Sequence, residues 1–114
     1  MAEEVIYVNF DEGVKRVMNN AKLYVRLLTK FKNDTKPDAL EAALGSGDLE
    51  QAQSEAHKIK GTAANLSLTE LYKQSLELET QIKAGAVEPG KLETMKAAFT
   101  QTLQEIEKVI AQNG

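Results

Sequence analysis

His57 is the only histidine in the chain, and it stands in the run His57-Lys58-Ile59-Lys60-Gly61-Thr62-Ala63-Ala64. A neutral imidazole is a nitrogen nucleophile near neutral pH, because its unperturbed pKa is about 6.5. It can attack phosphorus and form a phosphoramidate, a covalent intermediate. On a helical wheel with His57 at zero, Lys60 falls at about 300°, Gly61 at about 40° and Ala64 at about 340°. The apolar positions Ile59, Ala63 and Ala56 fall at about 200°, 240° and 260°. The histidine, a lysine and two small residues therefore share a face that is not the core face. Lys60 can offset charge on phosphoryl oxygens, the kind of electrostatic help that phosphoryl transfer depends on. Gly61 costs about 1 kcal/mol inside a helix relative to Ala, so its use beside an exposed histidine points to something that must approach closely. Singly, each residue has a plainer use: a surface histidine, a solvated lysine, a packing glycine. Their combination on one face is what makes the run a candidate site.

The elements that must hold this face are helices. Asn9 or Asp11 can cap a first short helix holding Val14, Val17 and Met18, with Asn19-Asn20 as the turn. Leu23, Tyr24, Leu27, Leu28 and Phe31 form one apolar stripe of a second helix, which Asn33-Asp34-Thr35 ends. Pro37 can start a short helix with Ala39, Leu40, Ala43 and Leu44 inside, stopped by Gly45-Ser46-Gly47. Asp48 can cap the helix that carries His57, whose inner positions Ala52, Ala56, Ile59, Ala63 and Leu66 recur at spacings of three and four. Ser67 or Thr69 opens the next helix, with Leu71, Leu78 and Ile82 inside and Leu68 and Leu76 beside them. Gly85 stops it. Pro89-Gly90 turns the chain into a last helix through Leu92, Met95, Phe99, Leu103, Ile106 and Ile110. Val5 to Val8 is either extended or an arm lying on the helices. The pattern predicts an all-α fold, an antiparallel four-helix bundle with one or two short N-terminal helices. With no linker or internal repeat, residues 1–114 are expected to form a single domain.

Composition narrows the chemistry. The chain has 14 Lys and Arg against 17 Asp and Glu, and no cysteine. A net negative charge and the lack of an aromatic platform argue against nucleic acid. No cysteine means no disulfide and no thiolate metal site. A di-iron bundle needs two Glu-x-x-His pairs, and a single histidine preceded at three residues by Ser54 cannot supply them, so no metal and no cofactor are expected. No stretch approaches the roughly 18 apolar residues of a membrane span, and the acidic start does not look like a signal peptide. The cytoplasm is the expected location. A monomer is expected, because each helix has one apolar stripe and the bundle can bury them all.

The run Ala56-His57-Lys58-Ile59-Lys60-Gly61-Thr62-Ala63 resembles the signature of the histidine-containing phosphotransfer (HPt) family: a histidine, a lysine three later, a glycine four later, then a small residue. Phe10-Asp11-Glu12-Gly13, the Tyr24 to Phe31 stripe, Gly47-Asp48 and Leu71 also sit where that family has them, so the resemblance covers nearly the whole chain. It implies that His57 is phosphorylated at Nε2 and that Lys60 contacts the phosphoryl group. It implies that Lys58, Gly61 and Ala64 face a docking receiver domain. On the following helix, Glu79 matches a polar residue that orients the histidine, and Lys83 matches a basic residue one turn later. Ala64 and Ser67 replace glycines common in relatives, and Glu79 stands where glutamine is frequent.

The reading is a histidine phosphocarrier of a two-component phosphorelay, not an enzyme with its own ATP-binding domain, for which the chain has no room and for which no Gly-x-x-x-x-Gly-Lys loop is read. Its expected partners are response-regulator receiver domains, a hybrid sensor kinase, or both. The rival is a helical adaptor that binds signalling proteins without needing His57. A chain that ends soon after its last helix looks free-standing, although a piece of a larger hybrid kinase would read the same.

Overall fold

A computed structural model describes residues 5–113. They contain six helices and no strand: α1 (Phe10–Arg16), α2 (Ala21–Asp34), α3 (Asp38–Ser46), α4 (Leu49–Asn65), α5 (Thr69–Ala84) and α6 (Lys91–Asn113). The four long helices are α2, α4, α5 and α6. One short helix, α1, precedes them, and the other, α3, lies between α2 and α4. Helix α4 packs between α3 and α5, and α6 packs between α5 and α2. Three residues join α4 to α5, so two helices of this length that pack side by side must run antiparallel. The thinnest dimension is 21 Å, about two helix diameters. No described helix is long and apolar enough to cross a membrane.

The ends follow local chemistry. Asn9, Asn20 and Asp48 accept the backbone N–H of Glu12, Leu23 and Gln51, which caps α1, α2 and α4. Gly47 and Gly85 end α3 and α5 in the left-handed conformation, which glycine adopts at little cost. One boundary departs from the sequence pattern. Helix α1 stops at Arg16, and Met18 and Asn19 turn left-handed, so Met18 stands in solvent instead of on the helix. Helix α5 begins at Thr69, one of the two starts the sequence offered, with no side-chain cap, because its N-cap residue is Leu68; Ser67 before it is left-handed and its hydroxyl donates to Glu12 Oε1 at 2.8 Å.

The N-terminal arm supplies what that cap would have. The carbonyl of Ile6 accepts the N–H of Glu70 in the first turn of α5, and Asn9 N–H donates to the Ser67 carbonyl. The expectation of an arm on the bundle holds, and its contact is with the α4–α5 corner.

The core joins Tyr24, Leu28 and Phe31 of α2 to Leu40, Ile59, Leu71, Leu78, Met95, Phe99 and Ile106. Ala52, Ala56 and Ala63 give α4 a flat inner face, which lets its neighbours come close. Tyr24 is wholly buried, and its hydroxyl donates to the Leu66 carbonyl at 2.6 Å. Burial, then the charge of Glu12, push that phenol up to about 12. Gly13 lies against the Tyr24 ring so closely that a Cβ there would overlap it. Ala39, expected inside, is exposed on α3, and Leu76, expected beside the inner stripe, is 38% exposed on α5.

Candidate functional site

Helix α4 presents His57 outward, with 64% of its side chain exposed. The core positions of α4 are Ala52, Ala56, Ile59 and Ala63, and His57 lies on another side of the helix, as its wheel position requires. Across the α4–α5 seam stands Glu79, whose carboxylate is buried (2% exposed). His57 Nδ1–H donates to Glu79 Oε2 at 3.0 Å. Lys60, one turn along α4, places Nζ 2.7 Å from Glu79 Oε1. Lys83, one turn along α5, stands 3.8 Å from Oε2.

A buried carboxylate survives only when charge and hydrogen bonds compensate its lost hydration. Burial pushes the Glu79 carboxyl up, but the hydrogen bonds from Lys60 and His57 and the charges of Lys60 and Lys83 outweigh it. The net effect holds Glu79 below its ordinary value, so it is ionised near neutral pH. An ionised carboxylate is an acceptor only. The ring nitrogen facing it must carry the proton, and the other nitrogen keeps its lone pair on the exposed part of the ring. The arrangement thus fixes one imidazole tautomer and turns its nucleophilic nitrogen to solvent.

His57, Lys60, Glu79 and Lys83 come together as one cluster. Gly61 and Ala64 continue the same face along α4, and a Cβ added at Gly61 would meet nothing within 4 Å. The glycine is therefore not demanded by anything inside the free protein. Lys58 points elsewhere, exposed and paired with Glu55 at 3.3 Å. Lys60 is less free than the sequence suggested, at 20% exposure and tied to Glu79. No group of three or more metal-ligating side chains occurs among the described residues.

The run Gly85-Ala86-Val87-Glu88-Pro89-Gly90-Lys91 has the Gly-x-x-x-x-Gly-Lys spacing of a phosphate-binding loop, a match passed over in the sequence. It lacks the Ser or Thr that should follow, since Leu92 stands there. It also joins two helices instead of a strand and a helix, and Lys91 Nζ is bound to Gln74 at 3.1 Å and Glu77 at 3.5 Å. A surface groove of about 620 Å³ between α2 and the end of α4 is lined by Leu27, Phe31, Thr62 and Asn65 among others and does not include His57.

Residues 26–112 match the sequence profile of the family described as Hpt domain. The chain belongs to that family. Hpt domains are helical bundles that take part in histidine phosphotransfer within phosphorelays, and they carry phosphoryl groups without kinase activity of their own. They interact there with receiver domains and kinases. No curated protein and no solved structure matches this Hpt chain.

Proposed function

We propose that His57 carries a phosphoryl group on Nε2 and exchanges it reversibly with receiver-domain aspartates, the whole chain acting as one domain. The observation that carries this reading is the His57–Glu79 hydrogen bond, which commits Nδ1 to its proton and leaves Nε2 as the nucleophile. In the forward step the Nε2 lone pair attacks phosphorus of an aspartyl phosphate. The P–O bond to the aspartate breaks and the carboxylate leaves with the electron pair. The ring keeps its Nδ1 proton and becomes cationic, next to the negative charge of Glu79. That placement favours the charged product ring and costs no rearrangement when the charge appears. The reverse step returns the pair to Nε2. Exposed Lys83 stands beside this centre for the phosphoryl oxygens, and Lys60 joins it when it lets go of Glu79. The divalent cation of such exchanges belongs to the partner.

The experiment is transfer from phosphorylated receiver domains to the wild type and to His57→Gln. The expected label is stable in base, lost in acid, and absent from the variant. Label that persists on His57→Gln would reject the assignment.

A further inference from the structure

Seven of the 14 Lys and Arg lie between residues 15 and 36, with Asp34 as the one acidic residue among them. Of these seven, Arg16 and Lys32 pair with glutamates. Lys15, Lys22, Arg26, Lys30 and Lys36 are exposed and make no ion pair among the described residues. Elsewhere the balance is reversed. Lys58, Lys60, Lys83, Lys91, Lys96 and Lys108 each meet a glutamate, and Lys73 alone does not. A chain of net charge -3 therefore keeps one side whose positive charge its own carboxylates leave standing.

That side is turned away from His57. On α2, Lys22, Arg26 and Lys30 follow one another at about 6 Å along the axis, with Arg26 about 200° around the wheel from Tyr24. They form a row on the outer side of the helix, since Tyr24, Leu28 and Phe31 are its buried residues. Helix α2 packs against α1 and α6, whereas His57 and Glu79 meet on the α4–α5 seam. With neighbours in the order α4, α5, α6, α2, helix α2 stands diagonal to α5, and its outer row points away from the seam. The turn between Lys15 and Lys22 carries Met18, which is 90% exposed. Its φ is 58°, a conformation that glycine adopts at less cost. The side chain buries almost nothing in the free protein, so neither the backbone nor the packing of the fold calls for a methionine here.

We propose that this basic side is a contact surface for an anionic lipid bilayer, with Met18 entering the headgroup layer and the five unpaired cations lying on the headgroups. The charge sets the sign of the occupant, and Met18 sets its class. An apolar tip beside a row of cations fits a layer that is anionic outside and apolar beneath. A nucleic-acid backbone offers Met18 no apolar layer, and the aromatic rings of this stretch, Tyr24 and Phe31, are buried where no base can stack on them. A protein interface ordinarily has an apolar centre, and this row has none, with Met18 at its end. The apolar face of α2 is committed to the core, and no described helix is long and apolar enough to cross a membrane. The contact is therefore peripheral, reversible and sensitive to salt. It leaves His57 facing the aqueous side, and it does not depend on His57 being the carrier.

The test is sedimentation of the full chain with vesicles of phosphatidylcholine alone, or with about 30% phosphatidylserine added, in about 0.1 M salt. Binding is expected to the anionic vesicles only, and it should be lost in about 0.5 M salt. Lys22→Gln and Arg26→Gln should each lower the partition about fivefold. Lys73→Gln removes the same charge from α5 and should leave the partition unchanged. Met18→Gly should also bind more weakly, while its thermal unfolding stays at or above that of the wild type, because glycine suits the turn. The chain has no cysteine, so a polarity-sensitive dye can be attached at one chosen place. On Met18→Cys it should brighten with anionic vesicles, and on Thr80→Cys, next to Glu79, it should not. Equal or absent partition to the two vesicle types, an equal loss in Lys73→Gln, or brightening at residue 80 in place of residue 18 would overturn the proposal. So would binding to a single-stranded oligonucleotide as tight as to the anionic vesicles, which would make the face a general polyanion surface.

Discussion

The histidine is made useful by a side chain on another helix. Glu79 sets which ring nitrogen holds the proton, so Glu79→Ala should let His57 sample both tautomers. Ring ¹⁵N spectra in mildly alkaline solution should show Nδ1–H in the wild type and a mixture in the variant, with slower labelling by a small phosphoryl donor. The same carboxylate links stability to pH. Its folded-state value lies below the ordinary 4.5, so its stabilising contribution is complete above that value and is lost as pH falls through the lower, folded one. Glu79→Gln should therefore be less stable near neutral pH, by about 1–3 kcal/mol, because Lys60 loses its charged acceptor. The gap should narrow in acid, which thermal unfolding of both proteins from about pH 6 down to about pH 3 would show. Gly61→Ala should separate stability from function. The added methyl meets nothing in the free protein, so α4 gains about 0.5–1 kcal/mol, while transfer from a receiver domain falls. His57, Lys60 and Gly61 could be grouped from sequence because one helix carries them and periodicity fixes their angles. Glu79 and Lys83 were reached only through the family resemblance, because periodicity within either helix leaves the α4–α5 register and the three-residue corner open.

At the scale of elements, the legible ends were those with a local signal. Asn9 and Asp48 cap helices through their own side chains, and Gly47 and Gly85 turn left-handed because they lack a Cβ. Asp48→Ala should cost about 1 kcal/mol in unfolding free energy by removing the acceptor for Gln51 N–H. Thr69 was one of the two starts read for α5, but what completes its first turn was not legible. Its first-turn N–H at Glu70 is satisfied by a carbonyl far back in sequence, at Ile6, and no residue type near Leu68 signals that. Leu76 misled for a related reason, since helical spacing places it beside the core stripe without saying how far the neighbouring helix covers it. The α1–α2 contact is equally specific. Gly13→Ala would press a methyl against the buried Tyr24 ring, and denaturant unfolding should show a loss of about 1–3 kcal/mol.

For the molecule as a whole, the matched segment and the folded body do not coincide. The segment begins at residue 26. Tyr24 lies before it, yet this ring is wholly buried and holds the Leu66 carbonyl. The arm that completes the first turn of α5 lies before it too. A chain trimmed to residues 26–112 should lose about 3–5 kcal/mol from the missing aromatic side chain alone, a large part of the stability of a domain this size. Its unfolding transition, followed by circular dichroism, should move to much lower temperature or disappear. The consequence reaches beyond this chain on its own. A phosphocarrier is an attractive part to splice into a synthetic signalling circuit, and the natural temptation is to cut where the family segment starts. Cut there, the graft would arrive with a hole at its centre and its reactive helix pair unbraced. The portable cassette starts upstream, at the arm.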